Sequence, residues 1–212
     1  MFPVLPVDAS LQLLLNQDWR SSLLDVVLPM FSSRMVLFIL LAGLLVWRSM
    51  LRGKGQAAYF IVLVLAMGIT DLSCNAVKHA VPRLRPQHSV AGTYYRDSGV
   101  WQRLPADYTP DRQRDTSFPS AHAANSAALA LVAMMFWPRL RRGLWALPLV
   151  VGWSRVYLGK HYPVDVAAGW IFGALIGCCI WLAWKRLAPR LKLAVHPDDL
   201  YRPFLLPPPD CR

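Results

Sequence analysis

Three separated stretches of this chain carry side chains that suit a single oxyanion. The first, Lys78-His-Ala-Val-Pro-Arg-Leu-Arg85-Pro86, sets two cations seven positions apart. Pro82 between them stops or bends a helix, which lets Lys78 and Arg85 converge. The second, Pro119-Ser120-Ala121-His122, puts a proline where a helix can begin, then a hydroxyl and an imidazole. First-turn amides of Ser120, Ala121 and His122 would make a ready site for a negative group. The third runs from Ser154-Arg155 to His161 and Asp165. Pro163 can open another helix, with Asp165 in its first turn beside His161.

Phosphoryl transfer needs this inventory. Charge on the equatorial oxygens must be held through the transition state, and Lys78, Arg85 and Arg155 can hold it. An arginine fork binds two oxygens at once. Asp165 could accept the N–H of one His161 ring nitrogen, fixing the tautomer and leaving the other nitrogen free to attack. Two histidines permit double displacement. His161 would attack phosphorus, and His122 would protonate the leaving oxygen and then activate water. The three cations supply the positive charge, so no metal or other cofactor is expected, and no metal-ligand spacing occurs. Taken singly, each feature has a plainer explanation. Lys78 and Arg85 could snorkel at a helix end, His122 could be a bystander, and Asp165 could answer a helix dipole. Their combination points to chemistry.

The elements that position these segments are apolar. Of 212 residues, 55% are hydrophobic and 17% charged, and mean hydropathy is +0.33. That composition suits a membrane protein. The net charge of +11 does not indicate nucleic acid as a partner, because the basic residues lie between apolar spans and form no polar module. Of the four cysteines, Cys74, Cys178 and Cys179 lie in apolar stretches and read as small buried residues; Cys211 is near the end.

Residues 8–33 are amphipathic and too polar to span, which predicts an interfacial helix pair turning near Pro29. Spans are expected at about 34–47, 57–81, 119–137, 144–158 and 163–184. The third is rich in Ala and Ser. The fifth carries Gly169, Gly173 and Gly177, a small-residue packing face. Between the second and third lies a polar loop, 83–118, holding Tyr94, Tyr95, Trp101 and Tyr108; its length predicts a lid or substrate-binding surface, or its aromatics an interfacial belt. Basic clusters (Arg48, Arg52, Lys54; Arg139, Arg141, Arg142; Lys185, Arg186, Arg190, Lys192) fall at one face, expected to be cytoplasmic. All three phosphate segments fall at the other. The expected architecture is therefore an all-α integral membrane bundle of five to six transmembrane helices. It comprises an N-terminal interfacial segment (1–33), a membrane-embedded domain (34–187) and a basic, Pro-rich cytoplasmic tail (188–212).

The motifs K-x6-R-P, P-S-x-H and S-R-x5-H-x3-D, as they stand at Lys78/Arg85-Pro86, Pro119–His122 and Ser154-Arg155/His161/Asp165, resemble those of the type-2 phosphatidic acid phosphatase superfamily. The resemblance extends over roughly residues 10–187. It implies a helical membrane fold with an extracytoplasmic site. His161 would be nucleophile, His122 general acid and base, and Asp165 the orienter of His161. Lys78, Arg85, Ser120, Ala121 and Arg155 would surround the phosphate. Ala121 stands where the family usually has glycine, and its methyl could crowd the oxygen cradle. The implied partners are membrane lipids and a lipid phosphate substrate, at a bacterial inner membrane with the site periplasmic. Undecaprenyl diphosphate is the leading substrate, with lipid A and phosphatidylglycerol phosphate as alternatives. A polyprenyl-diphosphate-dependent phosphotransferase would use the same residues. A haloperoxidase shares the anion site but lacks spans. A lipid binder or transporter would not require paired histidines.

Overall fold

The computed structural model describes residues 4–52, 56–110 and 116–194. Lys54, His196, Cys211 and most of the basic tail lie outside the described residues.

The N-terminal segment forms α1 (Pro6–Leu13), a π-helical turn (Leu14–Asp18) and α2 (Ser22–Phe31). Pro6 opens α1 at a position where a missing N–H costs nothing. Ser21 caps α2 by accepting from the Leu24 amide at 3.3 Å. The turn expected near Pro29 falls just beyond it: α2 carries the proline in its last turns and ends at Phe31, and a second break before Ser21 separates α2 from the π-helical turn. One face of this segment packs into the protein. Asp8, Gln12 and Asn16 are buried. The Asn16 side-chain amide donates to the carbonyls of Tyr94 (2.8 Å) and Tyr157 (2.6 Å), while its oxygen accepts from the Tyr94 amide. The polar residues that interrupt the amphipathic pattern are docked into the protein.

Five longer helices follow: α3 (Arg34–Arg52), α4 (Ala57–Ala80), α5 (Ala121–Phe136), α7 (Ala146–Tyr157) and α8 (Pro163–Arg190), with a single turn, α6 (Arg141–Leu144), between α5 and α7. Among the described residues, α4 and α8 are long and apolar enough to cross a bilayer. They present Ile61, Leu65, Leu72, Ile171 and Leu175 outward, as lipid contact requires. At 16 and 12 residues, α5 and α7 fall short of the ~20 that a crossing needs. Helix α5 is the central rod, buried nearly all round because alanines dominate it. Helix α8 lies along it through its glycine face. A side-chain carbon on Gly169 would sit 2.5 Å from the Ser120 carbonyl oxygen, and one on Gly173 would overlap the Ala124 main chain.

At one end of the bundle Tyr59, Phe136, Trp137, Trp181 and Trp184 pack edge to face, joining the start of α4 to the ends of α5 and α8. The clusters at Arg139–Arg142 and Lys185–Arg190 lie at this end. The opposite end is closed by the long connection. Within it, β1 (Tyr94–Asp97) and β2 (Val100–Arg103) form an antiparallel hairpin, which amends the all-α expectation. Ser98 and Gly99 both take positive φ (48° and 88°), the two-residue turn whose twist matches paired strands. Arg20 lies over the rings of Tyr94 (4.2 Å) and Trp101 (4.0 Å), pinning the hairpin to the N-terminal segment.

Candidate active site

The three motif segments meet at the hairpin end, joined pairwise by main-chain hydrogen bonds. The Ser117 amide donates to the Arg83 carbonyl at 2.7 Å, tying the first segment to the approach of α5. The Ser120 amide donates to the Asp165 carbonyl at 3.0 Å, tying the second segment to the third. The Gln87 amide donates to the Gly159 carbonyl at 3.0 Å, tying the first to the third. Gly159 makes that last contact with φ of 66°, and a side chain there would stand 2.6 Å from the Tyr94 carbonyl oxygen, so glycine is required.

Each candidate residue has a local reason for its place. Lys78 is in the last turn of α4, where a cation answers the helix dipole. The helix ends at Ala80, and the chain beyond Pro82 reverses Arg85 toward the centre. Arg155 is in the last turn of α7, and its carbonyl accepts the amides of Lys160 (3.1 Å) and His161 (3.3 Å), folding the loop back onto it. Its guanidinium also donates to the Ser32 hydroxyl at the end of α2. Lys78 feels the charges of both Arg85 and Arg155, and His161 feels Arg155 and Arg85. The three cations therefore share one locus with His161.

His161 is 2% exposed and Asp165 is fully buried. Burial pushes the His161 imidazole down to about 4; nearby Arg155 and Arg85 act in the same direction, and Asp165 opposes them. At neutral pH the ring is uncharged and keeps a lone pair. The expected hydrogen bond from His161 to Asp165 is not closed: Nδ1 stands 3.8 Å from Oδ2, beyond hydrogen-bond range. The carboxylate is otherwise engaged. Oδ2 accepts the Tyr162 amide at 2.9 Å, the reciprocal bond of an N-terminal cap, and Oδ1 accepts from Arg83.

The second segment differs from the sequence expectation in two respects. Helix α5 starts at Ala121, with Ser120 as its cap, and the Ser120 amide is already committed to Asp165. The amide cradle thus narrows to Ala121 and His122, with the Ser120 hydroxyl beside it. The Ala121 methyl packs with Cys74, Ala124 and Phe172. It fills the junction of α4, α5 and α8 and leaves the cradle clear.

His122 is half-buried and lines a cavity of about 220 Å³ with Phe38, Val64, Met67, Gly68, Asp71 and Asn125. Asn125 donates to the Asp71 carboxylate at 3.3 Å. Sequence reasoning passed over two residues. Arg83 carries the buried bond to Asp165, and Asp8 lies on the far side of that guanidinium. A third cation inside the Lys78–Arg85 segment was the available signal for the first. Nothing local marked Asp8, which reads as an ordinary first-turn acid.

The chain is similar to known proteins. The chain is 31% identical over 147 residues to a lipid A 1-phosphatase of Rhizobium johnstonii, covering 68% of this chain but 57% of that relative. A second Rhizobium lipid A 1-phosphatase is likewise covered over 60% of its length, so the chain spans less than two thirds of these curated relatives. The undecaprenyl-diphosphatase BcrC of Bacillus subtilis is 29% identical over 180 residues, 84% of this chain and 83% of that protein. The crystal structure of Aquifex aeolicus LpxE superposes with a TM-score of 0.61 at 25% identity, covering 83% of this chain and 95% of the other. The PAP2 superfamily model matches residues 59–188, more than half of the sequence and all three motif segments, and on that ground this chain belongs to the PAP2 superfamily.

Proposed function

We propose that this protein is an integral-membrane lipid phosphatase working through a phosphohistidine. The observation that carries the reading is the set of three main-chain bonds that close Lys78–Arg85, Ser117–His122 and Arg155–Asp165 around one locus. Lys78, Arg85, Arg155, the Ser120 hydroxyl and the first-turn amides of α5 hold the phosphate oxygens. The neutral His161 ring attacks the terminal phosphorus in line as its bond to the leaving oxygen breaks (the bridging oxygen of a lipid diphosphate, or the ester oxygen of a monophosphate), and His122 gives that oxygen a proton. Asp165 balances the cationic ring so formed. Water then attacks the phosphohistidine, with His122 taking its proton, and inorganic phosphate leaves.

The leaving group departs on the His122 side, where the cavity is walled mainly by apolar side chains of α3 and α4. That lining suits the first carbons of the lipid chain that carries the leaving oxygen. Undecaprenyl diphosphate is the favoured substrate, supported by the near full-length match to BcrC. Lipid A phosphate is the second reading, supported by the Rhizobium relatives. Transfer to a lipid acceptor in place of water would use the same groups. In this reading α3, α4, α5, α7 and α8 form the membrane domain, 34–187, with residues 1–33 docked on it. The basic end then lies in the cytoplasm, the tail with it, and the site on the periplasmic face of a bacterial inner membrane.

The test is phosphate release by purified protein in detergent from undecaprenyl diphosphate, lipid A and phosphatidylglycerol phosphate, with and without orthovanadate. The expected result is vanadate-sensitive release, fastest from the polyprenyl substrate and abolished in His161→Ala. No release from any lipid phosphate, or full activity in His161→Ala, would overturn the proposal.

A further inference from the structure

Behind the site lies a buried chain of charges that the mechanism above does not use. Arg83 is 1% exposed. One guanidinium nitrogen, Nη1, donates to Oδ1 of Asp165, and the other, Nη2, donates to Oδ2 of Asp8 at 2.5 Å. Asp8 is buried too, and its Oδ1 accepts the Val164 amide at 3.0 Å. The guanidinium carbon lies over the Tyr162 ring, 4.3 Å from its centroid. Tyr162 in turn bonds through its hydroxyl to Ser89 at 2.8 Å. Asp165 is therefore gripped from both sides, by Arg83 on one oxygen and by the Tyr162 amide on the other, which faces His161.

The charges matter as much as the grip. Asp165 can stabilise a cationic His161 only if its own charge is not spent on something else. Arg83 alone would cancel it. Asp8 engages the same guanidinium from the far side, so the three groups together carry one negative charge toward His161. This explains a costly arrangement, since burying three charged groups is seldom worthwhile for stability alone.

We propose that Asp8 and Arg83 are positioning residues for the phosphoryl-transfer step. Arg83 fixes the Asp165 carboxylate, and Asp8, reaching in from the N-terminal helix, restores the negative charge that the His161 phosphoimidazolium needs. The inference rests on the phosphatase reading above and adds to it a role for a segment 75 residues away in sequence. It makes α1 part of the active enzyme.

Asp8→Asn tests it, because the charge is lost while the one remaining side-chain oxygen can still accept from Arg83; the separate bond from the Val164 amide is given up. In the lipid phosphate release assay kcat is expected to fall about tenfold, the size expected for removing one buried charge near the reacting ring. KM should stay close to wild type, and the thermal midpoint should fall by only a few degrees, through the lost bond to the Val164 amide. Asp8→Asn with Arg83→Gln then removes a positive charge as well, returning the net charge to one negative. Its kcat is expected to exceed that of Asp8→Asn alone, which a purely structural role forbids. A single-variant kcat within twofold of wild type, or a double variant slower than the single with KM and thermal midpoint shifting in step, overturns the proposal. If wild-type protein releases no phosphate, the phosphatase reading fails instead. The positioning role is then judged on 15N-histidine-labelled protein with orthovanadate. A His161 Nδ1 proton resonance moved by Asp8→Asn upholds it, and an unmoved one sinks it.

Discussion

The seam between α5 and α8 holds the two histidine-bearing segments in register, and Gly173→Ala tests that directly. A methyl at Gly173 would stand 2.7 Å from the carbonyl carbon and 2.9 Å from the Cα of Ala124, with the carbonyl oxygen closer still. These are main-chain atoms of a central helix, so no rotamer change relieves the clash. Restoring ordinary contact needs the helices to part by roughly 1 Å. Overpacking of this kind costs about 1–3 kcal/mol, or a fall of about 4–8 °C in thermal midpoint for ~2 kcal/mol in a chain of this size. Activity should suffer more. The same seam carries the Ser120–Asp165 bond, one turn from Ala124 along α5 and about two turns from Gly173 along α8, and a ~1 Å misplacement of reacting groups costs about 100-fold in rate. Gly177→Ala is the internal control. There the added carbon meets Leu131 Cδ2 at 3.1 Å, the end of a rotatable side chain. Replacing a helix-interior glycine gains up to ~1 kcal/mol, so this variant should be as stable as wild type or more so, and as active. Scanning fluorimetry and phosphate release in detergent read both variants. Equal behaviour of Gly173→Ala and Gly177→Ala would refute the reasoning.

Other outcomes follow from the same geometry. Ala121→Gly should leave kcat within about twofold of wild type, because the methyl packs on Cys74 and Phe172 and not into the cradle; it should lower the thermal midpoint slightly through the lost burial and the looser helix start. Gly159→Ala should cut activity sharply, since it combines a left-handed φ with a clash on the Tyr94 carbonyl. His161 titrates near 4 in the folded protein against ~6.5 unfolded. Between those values the unfolded chain binds more protons, so this residue's contribution is full above about pH 6.5 and is lost as pH falls toward 4, by about 3 kcal/mol. Chemical denaturation at pH 7 and pH 4.5 should show a smaller acid loss in His161→Gln than in wild type.

The chemistry was legible in the sequence because its residue types are rare in apolar surroundings and sit beside helix-breaking prolines. Lys78, Arg85, His122, Arg155, His161 and Asp165 all fall at helix ends, and the spacing of apolar stretches put those ends on one face. The five long helices were legible for the same reason, although α8 continues past the apolar stretch to Arg190, since basic and small residues extend a helix as readily as apolar ones. What stayed hidden was set by partners distant in the chain. Asp8 finds Arg83, Asn16 finds Tyr94 and Tyr157, and the Ser120 amide finds Asp165; no local pattern encodes such pairings. The hairpin was masked by a mixed run of aromatic and charged residues, with Ser98-Gly99 as its one turn signal.

The central claim is that His161 becomes covalently phosphorylated at the locus where the three segments meet. The most direct measurement is rapid acid-free quenching of wild type, His122→Ala and His161→Ala after mixing with 32P-labelled undecaprenyl diphosphate, followed by mapping of the label. The expected product is an acid-labile, base-stable phosphoryl group on His161 that accumulates in His122→Ala and is absent in His161→Ala. Label on another residue, or turnover in His122→Ala with no trapped intermediate, would contradict it.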